Sequence, residues 1–170
     1  GLGCNNFGGT PATQGGWPLD LERSRAVINA AYDAGVNFFD TADVYGDGLG
    51  GSEEHLGKVL KDRRKQVILA TKWGSKWGPG QAYAKEHVGT RAFIRKQIEA
   101  SLRRLQTDTI DLYQFHQPDP ETPIKETLTA LAELKREGKI RYIGASNFTA
   151  AQIVEADQVA RVEAIPRFIS

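Results

Sequence analysis

The 170 residues are 40% apolar and 25% charged, with 22 Lys plus Arg against 21 Asp plus Glu. A chain of this size buries roughly 70% of its unfolded surface, and its balanced charge offers no basic field to nucleic acid or a membrane surface, and no acidic tail. A single cysteine, Cys4, excludes an internal disulfide framework or a cysteine zinc cluster; no apolar stretch approaches the ~20 residues of a membrane span, and the expected setting is cytoplasmic.

The first sixteen residues are rich in Gly and Asn and read as a strand end followed by a loop, with Gly8-Gly9-Thr10-Pro11 as a turn. No G-x-G-x-x-G leads straight into a helix, so the dinucleotide fingerprint is absent. Asp20 is a good N-cap for a helix over 21–34, with Ala26, Val27, Ala30, Ala31 and Ala34 as its expected buried face and Gly35 as its stop. A strand over 36–39 follows, then a glycine-rich turn, and Ser52 is expected to cap a short helix to residue 61 carrying a surface His55. Residues 67–72 form an almost unbroken apolar run ending on a cation, Lys72, as a doubly buried strand would at a sheet rim.

The long connection over 73–89 holds Trp73, Trp77 and Tyr83, which with Trp17 are candidates to line a pocket or to pack the loop down. His87 there reads as incidental. A helix from Thr90 to Leu105 shows Phe93, Ile94, Ile98, Leu102 and Leu105 on one face, and its arginines read as a solvated face. Residues 110–116 form the next strand, stopped by Pro118 and Pro120 so that His116 lies at the rim. Pro123 opens a helix with a Leu128, Leu131, Leu134 stripe, and a strand over 140–146 ends at Ser146-Asn147. Thr149 caps a last helix, and 165–169 reads as the start of another strand.

Alternating strands and helices imply a parallel sheet, open or closed. Each strand delivers a polar group at its C-terminal end, namely Asp40 with Tyr45, Lys72, His116, and Ser146 with Asn147. That favours a (β/α)8 TIM barrel, which draws functional groups from many strand ends onto one face. The chain would hold roughly the first five to six βα units, because a full barrel needs about 250 residues. With no methionine and strand-like sequence at both ends, residues 1–170 are expected to be one barrel domain incomplete at both ends, leaving open sheet edges and no activity on its own.

Asp40, Tyr45, Lys72 and His116 are candidates for one proton-transfer site. A reaction that develops negative charge on a substrate oxygen needs a proton donor within about 3 Å. A phenol with a pKa near 10 is a reluctant donor, so a lysine cation is expected to lower it, with a carboxylate holding the lysine in place. His116 would orient that oxygen. A metal-dependent hydrolase using Asp40, His116 and Asp119 is a rival, weakened by the lack of paired histidine ligands.

Phe39-Asp40-Thr41-Ala42 with Tyr45-Gly46, Ala70-Thr71-Lys72, Asp111 to His116 and Gly138 to Phe148, in this order and spacing, resemble the aldo-keto reductases over essentially the whole chain. The resemblance implies a (β/α)8 barrel binding NADP(H), less often NAD(H), and interconverting a small-molecule carbonyl and its alcohol without a metal. It carries a catalytic tetrad onto Asp40, Tyr45, Lys72 and His116, and a carboxamide-holding pair onto Ser146 and Asn147. Gly3, Cys4 and Asn5 match the first cofactor-side loop loosely. Some members of the family serve as channel-associated or redox-sensing subunits with little turnover, which is the alternative reading.

Overall fold

Five parallel strands pair strictly in chain order in the computed structural model, which describes residues 1–9, 18–76 and 83–170. They are β1 (Leu2–Gly3), β2 (Phe38–Asp40), β3 (Ile68–Trp73), β4 (Ile110–Phe115) and β5 (Ile140–Ala145). The helices between and after them are α1 (Leu21–Asp33), α2 (Gly51–Leu60), which runs into a 3-10 turn (Lys61–Gln66), α3 (Arg91–Leu105), α4 (Ile124–Arg136) and α5 (Ala150–Val162). A doubly wound sheet reverses its strand order at a switch point. Here each strand adds beside the one before it, as in the wall of a barrel.

The register sorts every strand residue onto one of two faces. Asp40, Ala70 and Leu112 lie in one row, and Lys72, Gln114 and Gly144 in the next, all on the same face. Thr71, Tyr113 and Ile143, then Trp73, Phe115 and Ala145, lie on the opposite face. That second face meets the helices. Phe39, Leu69, Trp73, Tyr113 and Phe115 are sealed there with Ile94, Ile98 and Leu105 of α3 and Leu128, Leu131 and Leu134 of α4, as the helical spacing predicts.

Three local expectations are corrected. Helix α1 buries Ser24 and Ile28 and leaves Ala26, Val27 and Ala30 exposed; alanine is small enough to sit on either face, so an alanine stripe marks the buried side poorly. Ser52 lies inside α2 rather than capping it, and Gly50, at φ 97°, is the N-cap. The Ser52 hydroxyl instead donates to the Cys4 carbonyl at 2.6 Å and accepts from the Thr41 hydroxyl at 2.8 Å, tying α2 to the ends of β1 and β2. At the other edge, residues 165–170 form no regular strand, yet Ile169 N–H donates to Ile143 O at 3.0 Å and Ala145 N–H to Ser170 O at 2.9 Å, so the segment lies along β5. No helix among the described residues is long and apolar enough to cross a membrane.

Candidate functional site

The C-terminal ends of β2, β3 and β4 bring together four of the candidate side chains. Lys72 Nζ lies 2.5 Å from Asp40 Oδ2 and donates to the Thr41 carbonyl at 3.0 Å. The lysine is almost wholly buried, and the carboxylate keeps about a third of its side-chain surface open (9% against 32%). The Tyr45 ring lies over the ammonium, 5.3 Å from its centroid, and meets the His116 ring edge-on at 5.7 Å and 87°. Phenol, ammonium, carboxylate and imidazole therefore open on one mouth of the sheet.

The Tyr45 turn is fixed by glycine. Gly8, Gly46 and Gly51 converge so closely that a Cβ at Gly51 would sit 2.5 Å from Gly8 O, and one at Gly46, at φ 86°, would sit 2.7 Å from Ser52 N. The Ser52 N–H donates to the Tyr45 carbonyl at 3.0 Å, so helix α2 grips the turn from beneath.

The electrostatics set a protonation state for each group. Burial first, then the Asp40 and Asp43 carboxylates, raise the Tyr45 pKa above its ordinary value, so the phenol keeps its proton. The net shift is therefore upward where a downward one was expected: burial and the two carboxylates set its sign, while the ammonium beneath the ring is engaged by Asp40 and Thr41 O. Burial and the Lys72 charge push the His116 imidazole down to about 4, so the ring is neutral. Its Nδ1 is buried with no hydrogen-bond partner among the described residues.

Ser146 and Asn147 lie at the end of β5, where Asn147 takes a left-handed φ of 59°. The Asn147 Nδ2 donates to the His116 carbonyl at 2.8 Å and to Ser146 Oγ at 3.1 Å. That leaves a serine O–H to donate and an asparagine Oδ1 to accept, the complement of a carboxamide. Gly3 pairs with Asp40 at the edge of the sheet and Asn5 is exposed beside it. Cys4 is corrected from a cofactor contact to a packing residue: it is fully buried, its thiol donates to Leu2 O at 3.4 Å, and burial pushes that thiol up to about 12.

Trp73 is corrected as well. It follows Lys72 by one residue and therefore points to the helix side, where it is fully buried, stacks on Tyr113 at 4.5 Å and Phe115 at 4.8 Å, and donates to Val88 O. Tyr83 packs down in the same layer, edge-on to Phe93. Trp17 and Trp77 lie outside the described residues. The hydrolase triad does not assemble: Asp119 groups with His87 and Glu121, and is held by Gly89 N–H at 3.0 Å, the Thr122 hydroxyl at 2.8 Å and Lys76 at 3.3 Å.

Two polar features escape the sequence reading. Gln114, one register row from Asp40, donates to Asp40 Oδ1 at 2.9 Å. Behind the sheet, Glu53 is fully buried, accepting from Thr71 Oγ1 at 2.6 Å and from Arg104 Nε at 2.6 Å. Arg104 is thus no part of a solvated face. Asp43 is sealed beside this pair, and burial with the Glu53 charge pushes its carboxyl up to about 8. The i, i+3 and i, i+4 repeat of α3 marks Leu102 and Leu105 as inward, and a cation between them was the available signal.

The Aldo/keto reductase family model matches residues 1–166. The chain is 46% identical over 167 residues to "Aldo-keto reductase YhdN" of Bacillus subtilis (strain 168), covering 97% of this chain and 48% of that protein. It is 37% identical to the "Probable voltage-gated potassium channel subunit beta" of Oryza sativa subsp. japonica, covering 84% of this chain and 42% of that protein. Among solved structures, "aldo-keto reductase AKR11C1 from Bacillus halodurans (holo form)" superposes with a TM-score of 0.75 at 36% identity, over 93% of this chain and 49% of that one. The chain thus spans about half the length of these relatives, with its five parallel strands as part of a (β/α)8 barrel wall, and it belongs to the aldo/keto reductase family.

Proposed function

We propose that the full-length protein carrying this chain is an NAD(P)H-dependent oxidoreductase that interconverts an aldehyde or ketone and its alcohol, with residues 1–170 forming part of its one barrel domain. The observation that carries the reading is the joining of a buried Lys72–Asp40 pair, a protonated Tyr45 phenol and a neutral His116 at one mouth. A nicotinamide nucleotide, NADP by family default and NAD as the other option, supplies the hydride when bound. Ser146 and Asn147 would hold its carboxamide, and Gly3 and Asn5 lie on the same rim.

The chain's own residues manage the proton. As the carbonyl carbon gains the hydride, the carbonyl π pair moves to oxygen and the Tyr45 O–H donates its proton there. Lys72 stabilises the tyrosinate left behind, and Asp40 holds the ammonium in place. The neutral His116 has one N–H with which to orient the carbonyl oxygen without competing for the transferred proton. In the alcohol-oxidising direction each step runs backwards. The substrate is a small molecule, and the setting is cytoplasmic.

Tyr45→Phe in the full-length protein tests this directly. Turnover of small aldehydes, read from NADPH oxidation, should fall by roughly 100-fold to 10,000-fold while cofactor binding persists; unchanged turnover removes Tyr45 from the mechanism. The similarity to a probable potassium channel β subunit supports a second reading, a cofactor-binding channel-associated or redox-sensing subunit. Nucleotide binding without turnover across a panel of aldehydes and ketones would favour it.

A further inference from the structure

We propose that Gln114 is the positioning residue of the Asp40–Lys72 pair: its side-chain amide holds one carboxylate oxygen so that the other is presented to the lysine. The inference rests on the reductase reading for its kinetic part, and on geometry alone for its structural part.

Asp40 leaves β2 with a third of its side chain open to the mouth, and a carboxylate so placed is free to turn about its χ angles. Two contacts stop it. Lys72, on the neighbouring strand, takes Oδ2 at 2.5 Å, and Gln114, one strand further, reaches across β3 to donate Nε2–H to Oδ1 at 2.9 Å. The register makes this reach possible: Gln114 lies level with Lys72 and points to the same face. On its other side β5 supplies Gly144 in the same row. Any side chain at 144 would run into Ser170 Oγ and would come within 3.1 Å of Gln114 Cγ, so the glycine leaves the lane in which the glutamine extends.

An uncharged donor suits this position. A second cation would compete with Lys72 for Asp40, and a carboxylate would repel Asp40. The amide instead satisfies one carboxylate oxygen and leaves the ion pair to the other. Lys72 is nearly buried, and its remaining bond is to a backbone carbonyl, so the direction from which Asp40 approaches decides where the ammonium sits beneath the Tyr45 ring. Gln114 thus acts on the phenol through two intermediaries, Asp40 and Lys72.

The test compares Gln114→Leu, Gln114→Glu and Asp40→Asn, singly and combined, in the full-length protein. Gln114→Leu should lower turnover about 10-fold with KM for the nucleotide unchanged, and should cost little further in the Asp40→Asn background, since both act on one contact. Gln114→Glu should be poorer than Leu at neutral pH and should regain turnover as pH falls, because its protonated carboxyl becomes an O–H donor to Asp40. A full, undiminished loss on top of Asp40→Asn, or parallel pH profiles for the Leu and Glu variants, overturns the kinetic role. If the wild type shows no turnover, the reductase reading fails separately and the NMR signals of the Gln114 side-chain NH2 decide the geometry. They should shift in Asp40→Ala, and unmoved signals would overturn the proposal.

Discussion

Two ionic clusters lie back to back across β3, built from the same kinds of groups. On the mouth side are Asp40, Lys72 and the Tyr45 phenol, and on the helix side are Glu53, Arg104, Asp43 and the Tyr83 and Tyr113 phenols. Thr71 and Lys72, adjacent in sequence, belong one to each. What separates the clusters is access. Asp40 keeps 32% of its side-chain surface and Glu53 keeps none. A carboxylate that water still reaches can lose its partner and stay solvated, so its pairing is available for chemistry. One sealed between α2, α3 and the sheet cannot, so its pairing holds structure. The helix-side cluster has a definite load to bear: Glu53 lies on α2, and the next helix residue on its N-terminal side, Ser52, holds the Tyr45 carbonyl.

Removing one cation from each cluster should therefore break different properties. Lys72→Met should lower turnover by roughly 100-fold to 10,000-fold, matching Tyr45→Phe although the lysine never touches substrate. The pH dependence of what remains should differ from the wild type, and an unaltered profile would uncouple Lys72 from the phenol. Its unfolding midpoint in urea should move little. Arg104→Met should do the reverse, leaving Glu53 charged and uncompensated in the core at a cost of about 3–5 kcal/mol in urea unfolding. Turnover per folded molecule should survive far better than in Lys72→Met. Loss of stability in the lysine variant with none in the arginine variant would invert the comparison.

The sequence carries the mouth cluster more plainly than its counterpart, for a physical reason. Asp40, Lys72 and His116 each interrupt or end an apolar strand, and a polar group there has no packing purpose. Strand order follows as directly, because five alternating units fold in sequence along one wall. Arg104 and Glu53 sit instead on helices already rich in charge, where one residue among many similar ones turns inward only through the exact phase of the helix. Trp73 misleads for a related reason: an aromatic beside a lysine at the sheet rim suggests a pocket, yet the two-residue period of a strand sends neighbours to opposite faces. Gln114 escapes notice because its partner is 74 positions away, two strands over.

The finest distinction between the clusters is in how each couples stability to pH, with opposite signs. The buried Asp43 carboxyl titrates near 8 in the folded chain against about 3.9 unfolded, so across that window the native state holds the extra proton and stability falls as pH rises. Asp43→Asn should abolish that fall, and an unchanged decline in the variant would show that Asp43 is not its source. The smallest effect belongs to His116, whose imidazole titrates near 4 folded against about 6.5 unfolded. Between those values the unfolded state holds the extra proton, so stability rises with pH. From about pH 4 to 6.5 the two slopes oppose each other, and above 6.5 only that of Asp43 remains. His116→Gln should expose the Asp43 decline from pH 4 upward, steepening the acid side of the curve and leaving the alkaline side as it was. A change confined to pH above 6.5 would mean that the imidazole is not held neutral by burial at the mouth.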